Sequence, residues 1–320
     1  MGRYLVTGVG GFVGSAVALA LLRRGDAVIG VDNLSTGFRS NIPEGVLFVE
    51  ADCTDSRLYT ELLPKEPYDA ILHIAGQGNN EISVEDPAYT LRCNTESTLA
   101  LVRFALEVQS PRFIYASSMA VYGDPGTDAT FAPVTEESPT CPPSFYGVSK
   151  LAAEHYLRLY EKRGLKPTIL RLFSVYGPGQ NMDNMRQGMV SIFMAMMEQE
   201  GHIHVRGNPS RFRDFIYIDD VVRAFVACLD SPTSCGRTIN ISGTGRVQVG
   251  DLVEMLRALR GTPVTVEYSG CTADDVFGLH ADASTAARWL GYESEVPLKE
   301  GLEKMYAWYM KRRNTGERAE

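Results

Sequence analysis

The chain has no excess of positive charge. Lys and Arg number 31 against 39 Asp and Glu in 320 residues, a net charge of −8. That balance argues against general binding of nucleic acid or anionic membranes. An anionic substrate must therefore be met by a local basic group. No stretch approaches the roughly 18 consecutive apolar residues of a membrane span. Met1-Gly2-Arg3 leads straight into an apolar segment, without the basic-then-apolar pattern of a leader. The six cysteines, at 53, 93, 141, 228, 235 and 271, are scattered and form no C-x-x-C. Neither a disulfide framework nor a thiolate metal site is expected, and free thiols point to a reducing, cytoplasmic setting. The five histidines supply no metal-ligand spacing; His202 and His204 are expected at the surface.

What remains is ordinary for a globular protein: 44% apolar and 22% charged residues. The length suits one large or two modest domains. The first half alternates short β-rich runs with helical stretches. Strands are predicted at 3–7, 27–31, 46–50, 69–74, 112–117 and 167–172, and helices at 12–24, 54–63, 87–109 and 146–163. This rhythm predicts a Rossmann-type, doubly wound parallel α/β sheet. A further strand at 215–218, followed by a helix from Asp219, reads as a return to the sheet with Asp219 as N-cap. The expected division is a dinucleotide-binding unit of residues 1–173 plus 215–241. A smaller mixed α/β substrate unit then comprises 174–214 plus 242–320, ending in a frayed tail from Lys311.

The turn after the first strand is Gly8-Val9-Gly10-Gly11-Phe12-Val13-Gly14. Strand, glycine turn and helix form the order that a dinucleotide pyrophosphate requires. Gly8 permits the turn, Gly11 lets phosphate approach the backbone, and Gly14 lets the helix pack on the strand. The second strand ends in Asp32. An acid there can accept hydrogen bonds from both ribose hydroxyls and repels a 2′-phosphate, so NAD is favoured over NADP. Arg39 is the only nearby basic group. The other candidate residues (Asp52, His73 to Gln77, Ser117 and Ser118, Ser174) also fall just beyond strand carboxyl ends, where ligands sit in such sheets.

Tyr146 and Lys150 lie four residues apart on a predicted helix, which brings their side chains to one face about 5–6 Å apart at Cβ. An ammonium beside a phenol favours the phenolate, so the tyrosine is expected to fall below its usual value of about 10. That makes it a candidate base for oxidising an alcohol. Ser118, at the end of a strand, can hydrogen-bond the reacting oxygen; Ser117 reads more readily as satisfying backbone.

Taken together, Thr7 to Gly14, Asp32, Asp52, Ser118, Tyr146/Lys150, the run Arg171 to Pro178 and Arg213-Asp214-Phe215 resemble the extended short-chain dehydrogenase/reductases that act on nucleotide sugars. The chain is most similar to their UDP-galactose 4-epimerase group, over residues 3 to 310. The resemblance implies cofactor contacts from Gly8, Gly11, Phe12, Val13, Asp32, Asn33, Ser35, Thr36, Gly37, Asp52, Cys53, Ile74, Ala75, Gln77, Asn94, Tyr146, Lys150, Phe173 and Val175. It implies substrate contacts from Ser118, Ser174, Gly188, Met189, Val190 and Arg213, with Arg213 on the diphosphate. It also implies a nucleotide-diphosphate-sugar substrate and a homodimer formed through helices 87–109 and 146–163.

Other chemistries on this framework are a 4-dehydrogenase that releases the ketone, a 4,6-dehydratase and a non-catalytic NAD-binding regulator. Dehydratases place an Asp-Glu pair after the catalytic hydroxyl residue, where this chain has Met119 and Ala120. Three expected diphosphate contacts are altered: Thr272, Ser174 and Gly188 stand where the family has an arginine and two asparagines. Arg211, Arg186 or Gln187 could substitute, or the nucleotide is not uridine; Arg211 is as readily read as a solvated surface residue.

Overall fold

The computed structural model describes residues 1–123, 132–270 and 276–315. Thr272 thus lies outside the described residues. The first half supplies β1 (Arg3–Thr7), β2 (Ala27–Asp32), β3 (Leu47–Glu50), β4 (Ala70–His73), β5 (Arg112–Ser118) and β6 (Lys166–Leu172). The second adds β7 (Ser174–Tyr176), β8 (His202–Arg206), β9 (Phe212–Tyr217), β10 (Arg237–Ile241), β11 (Arg246–Gln248) and β12 (Thr265–Ser269). Among the described residues, seven strands form one parallel sheet in the order β10-β6-β5-β4-β1-β2-β3. The chain winds outward from β1 to β3, then restarts on the other side with β4. The switch falls between β1 and β4, and it opens a crevice at their carboxyl ends.

Period-two alternation assigns the two faces. Val6, Leu72, Ile114 and Leu170 pack against Val17 and Leu21 of α1 (Phe12–Arg23). Their sequence neighbours Leu5, Ile71, Phe113 and Ile169 face the other way, onto Leu101, Phe104 and Leu157. Both faces are covered, so the strands read as continuous apolar runs.

The helix predicted over 87–109 runs unbroken over 87–107, with one turn widened. After α2 (Asn80–Glu85), α3 (Pro87–Leu91) gives way to one wider turn, Arg92–Glu96, before α4 (Ser97–Glu107). Ser97 and Thr98 donate back to the carbonyls of Cys93 and Asn94, at 2.6 Å each. Such back-bonds compete with the helical ladder and loosen it. Over 54–63 only one wide turn forms, Leu58–Leu62. Further on, α5 (Phe145–Glu161) is capped by Ser144, whose hydroxyl accepts the Gly147 N–H.

The strand expected to return to the main sheet does not. β9 pairs with β7 and β11 in a separate three-stranded sheet, and β10 takes the outer place beside β6. After α6 (Met189–Glu200), the following helix, α7 (Ile218–Asp230), starts one residue earlier than predicted. Asp219 and Asp220 therefore lie in its first turn, with Tyr217 at the cap position. Asp220 instead accepts Ser294 Oγ and the N–H groups of Glu295 and Val296.

A second core joins Phe193 of α6, Ile203 of β8, Leu252 of α8 (Val249–Arg260) and Leu302. β12 pairs with β8 beside it, where His202 and His204 bond Thr265 and Ser269. Ala286 of α9 (Ser284–Leu290) and Tyr292 pack instead with Val6 and Ile239 of the main sheet. The last described element is α10 (Leu298–Thr315), which takes in Lys311 to Thr315, where fraying was expected; residues 316–320 of that segment lie outside the described residues.

Candidate active site

One cavity of about 610 Å³ runs along the carboxyl ends of the main sheet to α6 and β9. Every cofactor and substrate contact that the family resemblance implied lines it except Asn94. Asn94 is fully buried and reaches the site indirectly. Its Oδ1 accepts the Gln77 N–H at 2.8 Å, and its Nδ2 donates to Gln77 O and Ser149 Oγ, both at 2.9 Å. It fastens the loop after β4 to α5.

The glycine turn is fixed by close backbone approach. Gly8 has φ +78° and, like Gly14, leaves no space for a Cβ: one on Gly14 would lie 2.0 Å from Gly8 O. Gly11 caps α1 with no side-chain partner, so the first N–H groups of a twelve-residue helix face the cavity. Asp32 is buried and accepts the N–H groups of Gly10 at 2.9 Å and Leu34 at 2.8 Å. Its carboxylate is thereby pinned beside the turn, with lone pairs still to offer. Asn33 donates to Asp52 at 2.8 Å, so the loops after β2 and β3 form one wall. Thr54 and Asn33 hold the Asp52 carboxyl low against the opposing effect of burial, the largest influence on it. These are the features a dinucleotide requires: a free helix N-terminus, a glycine approach and a ribose-facing acid.

At the other end, Lys150 is buried; its Nζ donates to Ala116 O at 2.9 Å and stands 4.9 Å from the Tyr115 ring. Burial pulls the ammonium down to about 8, while Glu154 acts in the opposite direction. Tyr146 is half-buried. Its phenol is raised, first by burial, and lowered in part by a hydrogen bond from Ser118. The expectation that the lysine would depress the phenol is therefore corrected for the protein alone. Lys150 is directed to a carbonyl, and the loss of hydration outweighs it. Ser118 Oγ accepts the Ala120 N–H at 3.1 Å, leaving its proton to donate. Ser117, by contrast, is buried and donates to Glu154 at 2.5 Å. His73 beneath the site bonds Thr7 at 2.8 Å, and burial lowers it to about 3, so it stays neutral.

The opposite wall is built by the second core. Arg213 is buried and donates to Phe212 O at 2.7 Å. Burial lowers it only to about 10, which leaves it charged at neutral pH. Arg211 and Arg186 do not line the cavity. Arg211 is not solvated: it is buried, bonded to the carbonyls of Arg206 and Asn208. Arg186 lies outside, 3.4 Å from Glu85. Gln187 does line the cavity, as do Gln180, Asn184, Tyr89 and Gly78, which the sequence alone did not single out as ligand contacts. No motif marks the last four; a scan for polar residues flanking Gly188 would have raised Asn184.

Residues 4–242 match a model of the NAD dependent epimerase/dehydratase family. The chain belongs to this family. Its fold and cofactor turn are those of the extended short-chain dehydrogenase/reductases, and the family is NAD-dependent. The chain is 33% identical to a putative UDP-glucose 4-epimerase of Methanocaldococcus jannaschii, covering 97% of this chain and 99% of that protein. The structure of UDP-glucose 4-epimerase from Thermotoga maritima with UDP-glucose superposes with a TM-score of 0.89 at 32% identity, covering 98% and 100%. UDP-glucuronic acid 4-epimerase of Bacillus cereus, solved with UDP-glucuronic acid and NAD, gives a TM-score of 0.87 at 28% identity, covering 97% and 99%. In this chain the sheet and α5 bring the glycine turn, Asp32, Ser118, Tyr146 and Lys150 to one crevice.

Proposed function

We infer that this protein is an NAD-dependent nucleotide-sugar 4-epimerase that works through a transient 4-keto sugar. The observation that carries the reading is the meeting of Ser118, Tyr146 and Lys150 in the same cavity as the glycine turn and Asp32. NAD, when bound in its oxidised form, supplies the acceptor for the C4 hydride and an added positive charge. Gly8, Gly11, the start of α1 and Asp32 hold the cofactor. Tyr146 Oη takes the proton of the 4-hydroxyl, and the Ser118 hydroxyl steadies that oxygen. Lys150 keeps a cation behind the phenol. The same phenol returns the proton after the ketone has turned over, so no net oxidation results.

Met119 stands where a 4,6-dehydratase needs a carboxylic acid, and a thioether cannot move protons. Arg213 supports a diphosphate on the second wall. By likeness to the relatives above, the nucleotide is UDP. Residues 1–173 plus 215–241 serve as the cofactor unit and 174–214 plus 242–320 as the substrate unit. A homodimer through α5 and its neighbours is supported by an exposed apolar face: Phe145, Val148, Tyr156 and Leu159 are 52%, 50%, 42% and 57% exposed. The scattered cysteines, without a C-x-x-C pair, are the basis for proposing a cytoplasmic setting.

The test is to add C4-labelled UDP-glucose to purified protein without added NAD and follow the label by NMR. An epimerase gives an equilibrium pair of alcohols; accumulation of the ketone would identify a dehydrogenase. Tyr146→Phe should lower turnover by about 1,000-fold or more while bound NAD is retained. Full activity in that variant would overturn the assignment.

A further inference from the structure

Gln187 precedes α6 and belongs to the second wall, yet its amide reaches the catalytic end. A Cβ on Gly78 would lie 2.9 Å from Gln187 Nε2 and 4.0 Å from Tyr146 Oη, so the amide and the phenol converge on one glycine. Gly78 is the reason the amide fits there. If the sugar's C4 oxygen sits at Tyr146 and Ser118, Gln187 faces the groups on the neighbouring carbons. One of these, on C5, is a hydroxymethyl in a hexose and a carboxylate in a uronate.

We infer that Gln187 reads this part of the sugar as neutral, and that the substrate is a nucleotide hexose rather than a nucleotide uronate. The inference rests on the epimerase reading. A carboxylate on C5 would stand on the Tyr146 side of the cavity, like charge against the phenolate, and would give up its water with no cation among the described residues there to offset the cost. Among the described residues, the cations on the cavity wall are Lys150 and Arg213. Lys150 lies a helical turn further along α5 and donates to Ala116 O. Arg213 is on β9, in the wall that takes the diphosphate. Toward the phenol the site offers the Ser118 hydroxyl, which hydrogen-bonds it, and the Gln187 amide at Gly78. An amide donates and accepts, as a hydroxymethyl group does; a carboxylate only accepts.

The experiment compares kcat/KM of the intact protein for UDP-glucose, UDP-galactose and UDP-glucuronate, with Gln187→Ala and Gln187→Arg beside wild type. Wild type should favour the hexoses by about 100-fold or more. Gln187→Ala should lose about ten-fold on both hexoses with unchanged NAD occupancy and melting temperature. Gln187→Arg should shift the ratio toward the uronate; Gln187→Asn, which keeps the chemistry, should shift it less. Faster turnover of UDP-glucuronate by wild type would overturn this assignment and leave the epimerase reading standing. An unchanged ratio in Gln187→Arg would overturn the role of Gln187. Turnover of none of these sugars would overturn the reading beneath it.

Discussion

Arg171 grips Glu154 with two hydrogen bonds, Nη2 to Oε2 at 2.7 Å and Nε to Oε1 at 3.0 Å. Their side chains are only 4% and 1% exposed. Oε1 also accepts the Ser117 hydroxyl, and the guanidinium sits 4.7 Å from the Tyr122 ring. The pair therefore ties α5, which carries Tyr146 and Lys150, to the ends of β5 and β6. Ser117 is one residue from Ser118, so the position of the proposed catalytic hydroxyl depends on a contact outside the cavity's ligand-facing groups.

Breaking this pair from one side should be expensive. Glu154→Gln or Arg171→Met leaves an uncompensated buried charge, and each is expected to lower unfolding stability by about 3–5 kcal/mol. The double variant Glu154→Met/Arg171→Met should be more stable than either single charge-removing variant. Urea unfolding midpoints check this; additive losses would show that the two side chains act independently.

Asp32 should govern the choice of cofactor. Replacing it with Ala removes the acceptor beside the glycine turn and the acid that repels a 2′-phosphate. NAD affinity is expected to fall about 10- to 100-fold while that for NADP rises or stays level, because a hydrogen bond to a charged group contributes about 1.5–3 kcal/mol. Fluorescence titration with NADH and NADPH reads both directly. Equal losses for the two would point to collapse of the loop held through Gly10 and Leu34 instead.

The buried imidazole of His73 should make the fold sensitive to acid. Burial is the main cause of its low value, and Lys150 adds to it. Folded, the ring titrates at about 3; unfolded, it does so near 6.5. Between those values the unfolded chain binds one more proton than the folded one, so stability falls as pH drops from about 6.5 toward 3. His73→Gln should flatten that part of the stability curve, measured by denaturant unfolding at pH 7, 5 and 4.

Much of this was readable in advance because the signals are local. A glycine turn between strand and helix, and an acid at the next strand end, specify a cofactor site from short spacings alone. The widened turn inside 87–109 was not readable: apolar periodicity runs through it, and the loosening comes from Ser97 and Thr98 bonding back to the chain. The sheet joined by Phe215 was not readable either, since alternation shows that a segment is extended and leaves its partner open. Asn94 was placed on the cofactor because its neighbourhood is right, whereas its amide is occupied by Gln77 and Ser149.

The residue types and their spacing determined that this chain would make a dinucleotide turn and carry a tyrosine–lysine pair on one helical face. Folding alone decided which charges count. It moved Arg211 and Arg186 off the cavity wall, turned Ser117 toward Glu154, and carried Gln187 from a distant segment to Gly78, which the Tyr146 phenol also approaches. It also reversed the expected effect on the phenol. Proximity along a helix fixes which groups are neighbours, but the balance between a nearby cation and lost hydration depends on burial, and burial belongs to the whole packed structure.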